Sequence, residues 1–153
     1  MINKLVPLAI VAFVLSPLTS ELGAHCQVPC GIFDDPARFV SLKEHATTIE
    51  KAATQIGELA GKSDAQSLQQ VVRWVSNKES HAAEIQQIAL DYFLAQRIKL
   101  PADEAATAPY VARLSAAHAI VVHAMKCKQS ADPAVVAGLR AAIEKFEAVY
   151  TKG

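Results

Sequence analysis

The chain predicts an all-α protein: four amphipathic helices in an antiparallel bundle, preceded by a short segment of different character. Three observations lead there. Hydrophobic residues make up 52% of the 153 residues but aromatics only 6%, and alanine-rich sequence interspersed with Lys and Glu is helix-forming. Apolar residues recur at three- and four-residue steps through four segments, the period of a helix with one buried face. No segment alternates apolar and polar residues as a half-buried strand does.

Residues 1–24 read as a secretory signal. Lys4 supplies the positive end, residues 5–18 are apolar but broken by Pro7 and Pro17, and a more polar run closes on the small Ala24. A membrane span needs about 20 apolar residues, more than this interrupted run provides. A lipoprotein signal would place a small residue before Cys26, where His25 stands. The expectation is cleavage after Ala24 by signal peptidase, export to the periplasm or the extracellular medium, and no stable membrane association afterwards. About 130 residues would remain, a single domain by size.

The first helix is expected over about residues 36–60, with Ile49, Ala52, Ala53, Ile56 and Leu59 at helical spacing. Gly61 ends it, and Ser63-Asp64 caps the next. The second runs over about residues 64–97, its buried stripe marked by Leu68, Val71, Val72, Val75, Ile85, Ile88, Ala89 and Tyr92. The polar residues 77–80 are the place where it would loosen, and Pro101 breaks it. The third starts between Asp103 and Pro109 and carries Val111, Leu114, Ala117, Val121 and Met125. Asp132-Pro133 then reads as an N-cap followed by proline at the first helical position. The fourth shows Val136, Leu139, Ile143, Phe146 and Tyr150 in register. An antiparallel bundle buries four such stripes joined by short loops. Acidic and basic residues balance at 15 each, so nothing in the charge recommends nucleic acid or an anionic membrane as partner.

The segment before the bundle carries the chemistry. After cleavage the chain would begin His25-Cys26-Gln27-Val28-Pro29-Cys30-Gly31, offering an amine, an imidazole and two thiols. These are soft and borderline donors, suited to a thiophilic transition metal rather than to magnesium or calcium. Pro29 and Gly31 supply the fixed and the permissive backbone angles that a curl between the thiols needs. Amine, Cys26 amide nitrogen and Cys26 sulfur can form fused chelate rings, with the Cys30 thiolate completing a square. Planar N,S coordination favours Ni(II) or Cu(II) over zinc. The His25 imidazole remains for an axial position. A Cys26–Cys30 disulfide is the competing reading in an oxidising compartment. A c-type haem site is excluded, because three residues separate the cysteines and Gly31 follows the second. A zinc ribbon lacks its second ligand pair.

The hook motif His-Cys-x-x-Pro-Cys-Gly at a processed N-terminus resembles that of nickel-containing superoxide dismutases. Lys78-Glu79 and Asp91-Tyr92-Phe93 are similar to pieces of that family's second helix. The resemblance implies a nickel hook at residues 25–33 and a four-helix bundle over about residues 36–153, assembled as a homohexamer with one nickel ion per subunit. It implies the His25 amine, the Cys26 amide nitrogen, and the Cys26 and Cys30 thiolates as equatorial ligands, joined by the His25 imidazole when the metal is oxidised. Tyr92 is carried over with His25, Cys26 and Cys30 as a catalytic residue. The implied reaction is disproportionation of superoxide to dioxygen and hydrogen peroxide, nickel alternating between two and three positive charges. An exported nickel- or copper-binding helical protein without redox turnover is the alternative. The chain departs from the family pattern at Phe33, where a tyrosine is usual, and at Gln27, where an acidic residue is common. A Glu and an Arg that orient the axial imidazole are not cleanly matched: Glu44 is near the first, and His81 falls at the second.

Other residues invite plainer readings. His118 and His123 lie five apart, on different helix faces. His45 and His81 read as surface or interface residues, Trp74 as core or interface, and Cys127 as a small buried residue.

Overall fold

A computed structural model of the chain describes residues 32–151. Helix α1 spans Asp35–Leu59, α2 Ala65–Gln87, α3 Thr107–Gln129 and α4 Ala134–Thr151; α2 runs on into a π-helical segment, Ile88–Arg97. No strand occurs among the described residues. Neighbouring contacts run α1–α2, α2–α3, α3–α4 and α4–α1, closing the ring of an antiparallel four-helix bundle. The fold class expected from the periodicity is therefore observed. The proposed division at residue 24, and residues 25–31 of the hook, lie outside the described residues.

Local chemistry sets the helix ends. Asp34 Oδ1 accepts from the Ala37 N–H at 3.0 Å, and Asp64 Oδ1 from the Ser67 N–H at 2.9 Å, each satisfying one of the first-turn donors that a helix leaves free. Pro36 fits the first turn of α1, where its missing N–H costs nothing. Gly61, at φ 83°, takes the left-handed conformation that stops α1. Asp132 accepts from the Ala134 N–H at 2.9 Å, the cap expected there.

The core joins Leu42, Ala46 and Ile49 of α1 to Ile85, Tyr92 and Phe93, to Ala117 and Ile120, and to Leu139, Ile143 and Phe146. At one end, Phe39, Phe93, Phe146 and Tyr150 pack with ring centroids 4.9–5.7 Å apart, within the favourable range for tilted and edge-on aromatic pairs. The stripe expected on α4 is the one found, with Tyr150 half-buried at its edge.

Two stripes differ from expectation. On α3 the buried residues are Ala116, Ala117, Ile120, Ala124 and Cys127, while Val111 and Met125 stay 49% and 44% exposed. The true face is turned by one residue, about 100°. Three of its five residues are alanine, so the bulkier Val and Met marked the wrong side. On α2 the expected stripe holds from Ile85 onward, but Leu68 and Val72 are 52% and 68% exposed. The Lys78 ammonium reaches the last carbonyls of α3, at Cys127 and Lys128. The part of α2 before Lys78 therefore extends past the end of α3, and no third helix among the described residues covers it. The helix does not loosen at residues 77–80; its irregularity begins ten residues later, in the π segment.

Candidate metal centre

Asp35 organises the point where the hook would join the bundle. It is the first residue of α1. Its Oδ1 accepts from the Tyr92 hydroxyl at 2.5 Å and from Arg97 Nε at 2.9 Å; its Oδ2 accepts from Arg97 Nη2 at 2.7 Å and from the Tyr150 hydroxyl at 2.8 Å. One carboxylate thus ties α1 to the π segment and to α4, through a fork-shaped ion pair and two phenols. Burial pushes the Asp35 carboxyl upward, but hydrogen bonds from Arg97, Tyr92 and Tyr150, with the guanidinium charge, hold it below the ordinary carboxylate value.

The π winding makes this arrangement possible. In an α-helix, residues five apart point about 140° away from each other. The Ile98 N–H instead bonds the Phe93 carbonyl at 2.8 Å, the i→i+5 pattern that brings residues five apart onto nearly one side. Tyr92 and Arg97 are five apart, and both reach Asp35. Such widened turns are uncommon and frequently sit at functional sites.

Phe33 lies against the same cluster. Its ring meets Tyr92 edge-on at 6.0 Å, and the Arg97 guanidinium lies 4.7 Å from its centroid. The residue that departs from the tyrosine of the pattern is thus clamped between an aromatic edge and a cation. Tyr92 is fully buried. Desolvation, then its bond to Asp35 and that carboxylate's charge, push its hydroxyl up to about 12. At neutral pH it is a hydrogen-bond donor, not a base.

The proposed ligands His25, Cys26 and Cys30, with Gln27, lie outside the described residues. Among the described residues no group of three or more His, Cys, Asp or Glu could hold a metal ion. Lys78, in the Lys-Glu match, is buried and caps α3; Glu79 pairs with it at 3.1 Å. Glu44 is exposed on α1. His45 and His81 prove to be a pair, Nδ1 to Nδ1 at 2.7 Å, joining α1 to α2. His118 is exposed, whereas His123 is half-buried against Gly138, where an added Cβ would come within 2.7 Å of its Nδ1. Cys127 is buried and unpaired, its thiol pushed up by burial. Trp74 is half-buried on α2, with the Lys51 ammonium 6.0 Å from its ring.

Sequence reading missed Asp35, Arg97 and Tyr150. Asp34-Asp35-Pro36 looks like a capping run, and only the first aspartate caps. The second is free for the cluster, the one local signal that could have exposed it.

An all-α bundle with such a cluster at the start of its first helix, following a Cys-x-x-Pro-Cys-Gly segment in the sequence, points to the class of helical metalloproteins. The family model for nickel-containing superoxide dismutase matches residues 20–153, and the chain belongs to that family. It is therefore an oxidoreductase that disproportionates superoxide, with nickel as its cofactor; binding of metal without turnover is not favoured. No curated protein and no solved structure matches the chain.

Proposed function

We propose that residues 25–30, after cleavage behind Ala24, would hold the nickel ion through the His25 amine and imidazole, the Cys26 amide nitrogen and the Cys26 and Cys30 thiolates. The observation that carries this reading is the donor set itself. Two thiolates, an amine and an amide nitrogen within six residues form the anionic, sulfur-containing square that suits Ni(II), and they fall inside the family match. Bound nickel supplies the one-electron couple by which one superoxide is oxidised to dioxygen and another, taking two protons, is reduced to hydrogen peroxide.

The chain's own residues then position and shield. Arg97 and Tyr150 fix Asp35 in the first turn of α1, so that a hook five to ten residues upstream would start from a held base. Tyr92 serves the centre as a positioning residue, holding Asp35 and meeting Phe33 edge-on. Phe33 brings no hydroxyl, so any ordering of water or substrate beside it falls to other groups.

Export and assembly belong to the same proposal. Trimming creates the amine ligand, because before cleavage His25 has only an amide nitrogen. The signal-like residues 1–24 support removal by signal peptidase and a periplasmic or extracellular site of action; no described helix is long and apolar enough to cross a membrane. The uncovered Leu68, Val72 and Val75 on α2 support a contact between subunits, since neighbouring exposed apolar side chains commonly mark one; the homohexamer itself rests on the resemblance to the family.

The test is made on exported protein. Its mass should place the N-terminus at His25, and metal analysis should find about one nickel per chain, as one hook requires. Cys26→Ser and Cys30→Ser should lose both nickel and dismutation, while Cys127→Ser keeps them. Full activity in a chain that still contains Lys4 would overturn the amine-ligand assignment.

A further inference from the structure

A cavity of about 330 Å³ opens between the end of the π segment and the start of α3. Arg97, Lys99 and Arg113 line it together with Tyr110, over a floor that includes Leu100 and Pro101. Its described lining thus holds three cationic side chains and no carboxylate. Lys99 and Arg113 take no ion pair among the described residues. Asp35 engages Nε and Nη2 of Arg97, which leaves the Nη1 end of the guanidinium outside that pair. In a chain whose charges balance overall, two basic side chains without an ion pair among the described residues thus join a third in one concave place.

Its location gives the charge a use. Arg97 belongs to the cavity wall and also lies over Phe33, three residues beyond Cys30. The cavity and the root of the hook share this one side chain. Superoxide is a monoanion, and a cleft of one sign raises the local concentration of the opposite ion and its encounter rate.

We propose that the cavity of Arg97, Lys99, Arg113 and Tyr110 is an anion-binding site that gathers small inorganic oxyanions, superoxide among them, beside the hook. Lys99 and Arg113 are its uncommitted charges, Arg97 joins it to Phe33, and the Tyr110 hydroxyl offers a further donor. The role in turnover rests on the hook being the nickel centre; the binding of an anion does not.

Two measurements on trimmed, nickel-loaded protein test this. The first follows inorganic phosphate by phosphorus NMR. Saturable binding is expected in the wild type, lost in the Lys99→Ala/Arg113→Ala double variant and retained in Lys99→Arg/Arg113→Lys. The second follows the second-order rate constant for superoxide by pulse radiolysis, with nickel content measured in every sample. Two unit charges about 10 Å from the approach path change the encounter rate of a monoanion about fourfold in water. The alanine pair should therefore lose about that factor at low ionic strength, Lys99→Glu/Arg113→Glu more, and the conservative pair little. The differences should close in high salt as screening shortens the field to a few ångströms. Phosphate binding that survives the alanine pair, or rate constants equal across the variants at low salt, overturns the proposal. Trimmed wild type that takes up no nickel when offered it, yet binds phosphate at this cavity, would count against the hook and leave the anion site standing.

Discussion

The Tyr92 hydroxyl donates to the Asp35 carboxylate at 2.5 Å, across 57 residues of sequence. The bond joins the π segment to the first residue of α1, and Arg97 and Tyr150 converge on the same carboxylate. Asp35 thus begins the bundle's first helix and ties it to the π segment and to α4, just behind the segment proposed to hold the nickel.

Asp35→Asn should be costly. The substitution removes the charge opposite Arg97 while keeping size, and an ion-paired group that loses its partner in a partly buried site typically costs about 1–3 kcal/mol. Urea unfolding near neutral pH should show a lower midpoint at an unchanged slope. Tyr92→Phe should cost less, about 0.5–1.5 kcal/mol, because the ring stays packed and one hydrogen bond goes. The acid dependence follows from the sign of the Asp35 shift. Its folded pKa is depressed, so its contribution is present above the unfolded value of 3.8 and is lost as pH falls through the lower folded value. Wild type and Asp35→Asn should therefore converge in stability at strongly acidic pH; a gap that persists there would assign the effect to packing.

Lys78 offers a test of how α3 is terminated. Its ammonium is buried and donates to the carbonyls of Cys127 and Lys128, groups that have no partner within their own helix. A cation at that end is also favoured by the helix dipole. Lys78→Met preserves much of the volume but leaves two carbonyls without their donor, a loss of about 1–3 kcal/mol; Lys78→Ala adds a cavity and should cost about 2–4 kcal/mol. Hydrogen exchange should speed up first in the last turn of α3. Uniform acceleration through all four helices would instead mean that the cap is no more than part of global stability.

These two sites also show what the sequence could and could not express. Helix number, the Asp64 and Asp132 caps, the Gly61 stop and the stripe on α4 depend on neighbours within a turn or two, and local periodicity reports them. The family was legible for the same reason, the Cys-x-x-Pro-Cys-Gly motif lying within six residues of sequence. The face of α3 was not, because alanine occupies both buried and exposed positions and weighs little in a hydrophobic pattern. The Asp35 cluster was not, because its bonds span 57, 62 and 115 residues. The π winding that brings Tyr92 and Arg97 together left no mark in a stretch that also satisfies α-helical spacing. Lys78 was singled out by resemblance alone, and its buried capping role required the end of α3 to be placed beside it.

The His45–His81 pair predicts a pH-dependent bundle. At 2.7 Å between Nδ1 atoms, one imidazole must donate and the other accept, so the contact requires at least one neutral ring. Burial lowers the His45 pKa first, the neighbouring His81 lowers it further, and Glu84 and Glu44 oppose both. Those four side chains, His45 and Glu44 from α1 and His81 and Glu84 from α2, are the titratable groups that decide the contact. Because the folded pKa lies below the unfolded 6.5, the unfolded chain binds more protons in the interval between the two values. Stability should hold above that unfolded value and decline as pH falls below it, levelling once the folded ring protonates too. For one proton the slope cannot exceed about 1.4 kcal/mol per pH unit. The measurement is urea unfolding of nickel-free protein at pH 7.5 and 5.5, with chelator present so that metal release does not contribute. Wild type should lose stability over this interval, whereas His45→Gln, which keeps a hydrogen-bonding side chain but cannot titrate, should be nearly flat. If both proteins lose the same amount, the sensitivity lies elsewhere and the two imidazoles are only a packing contact.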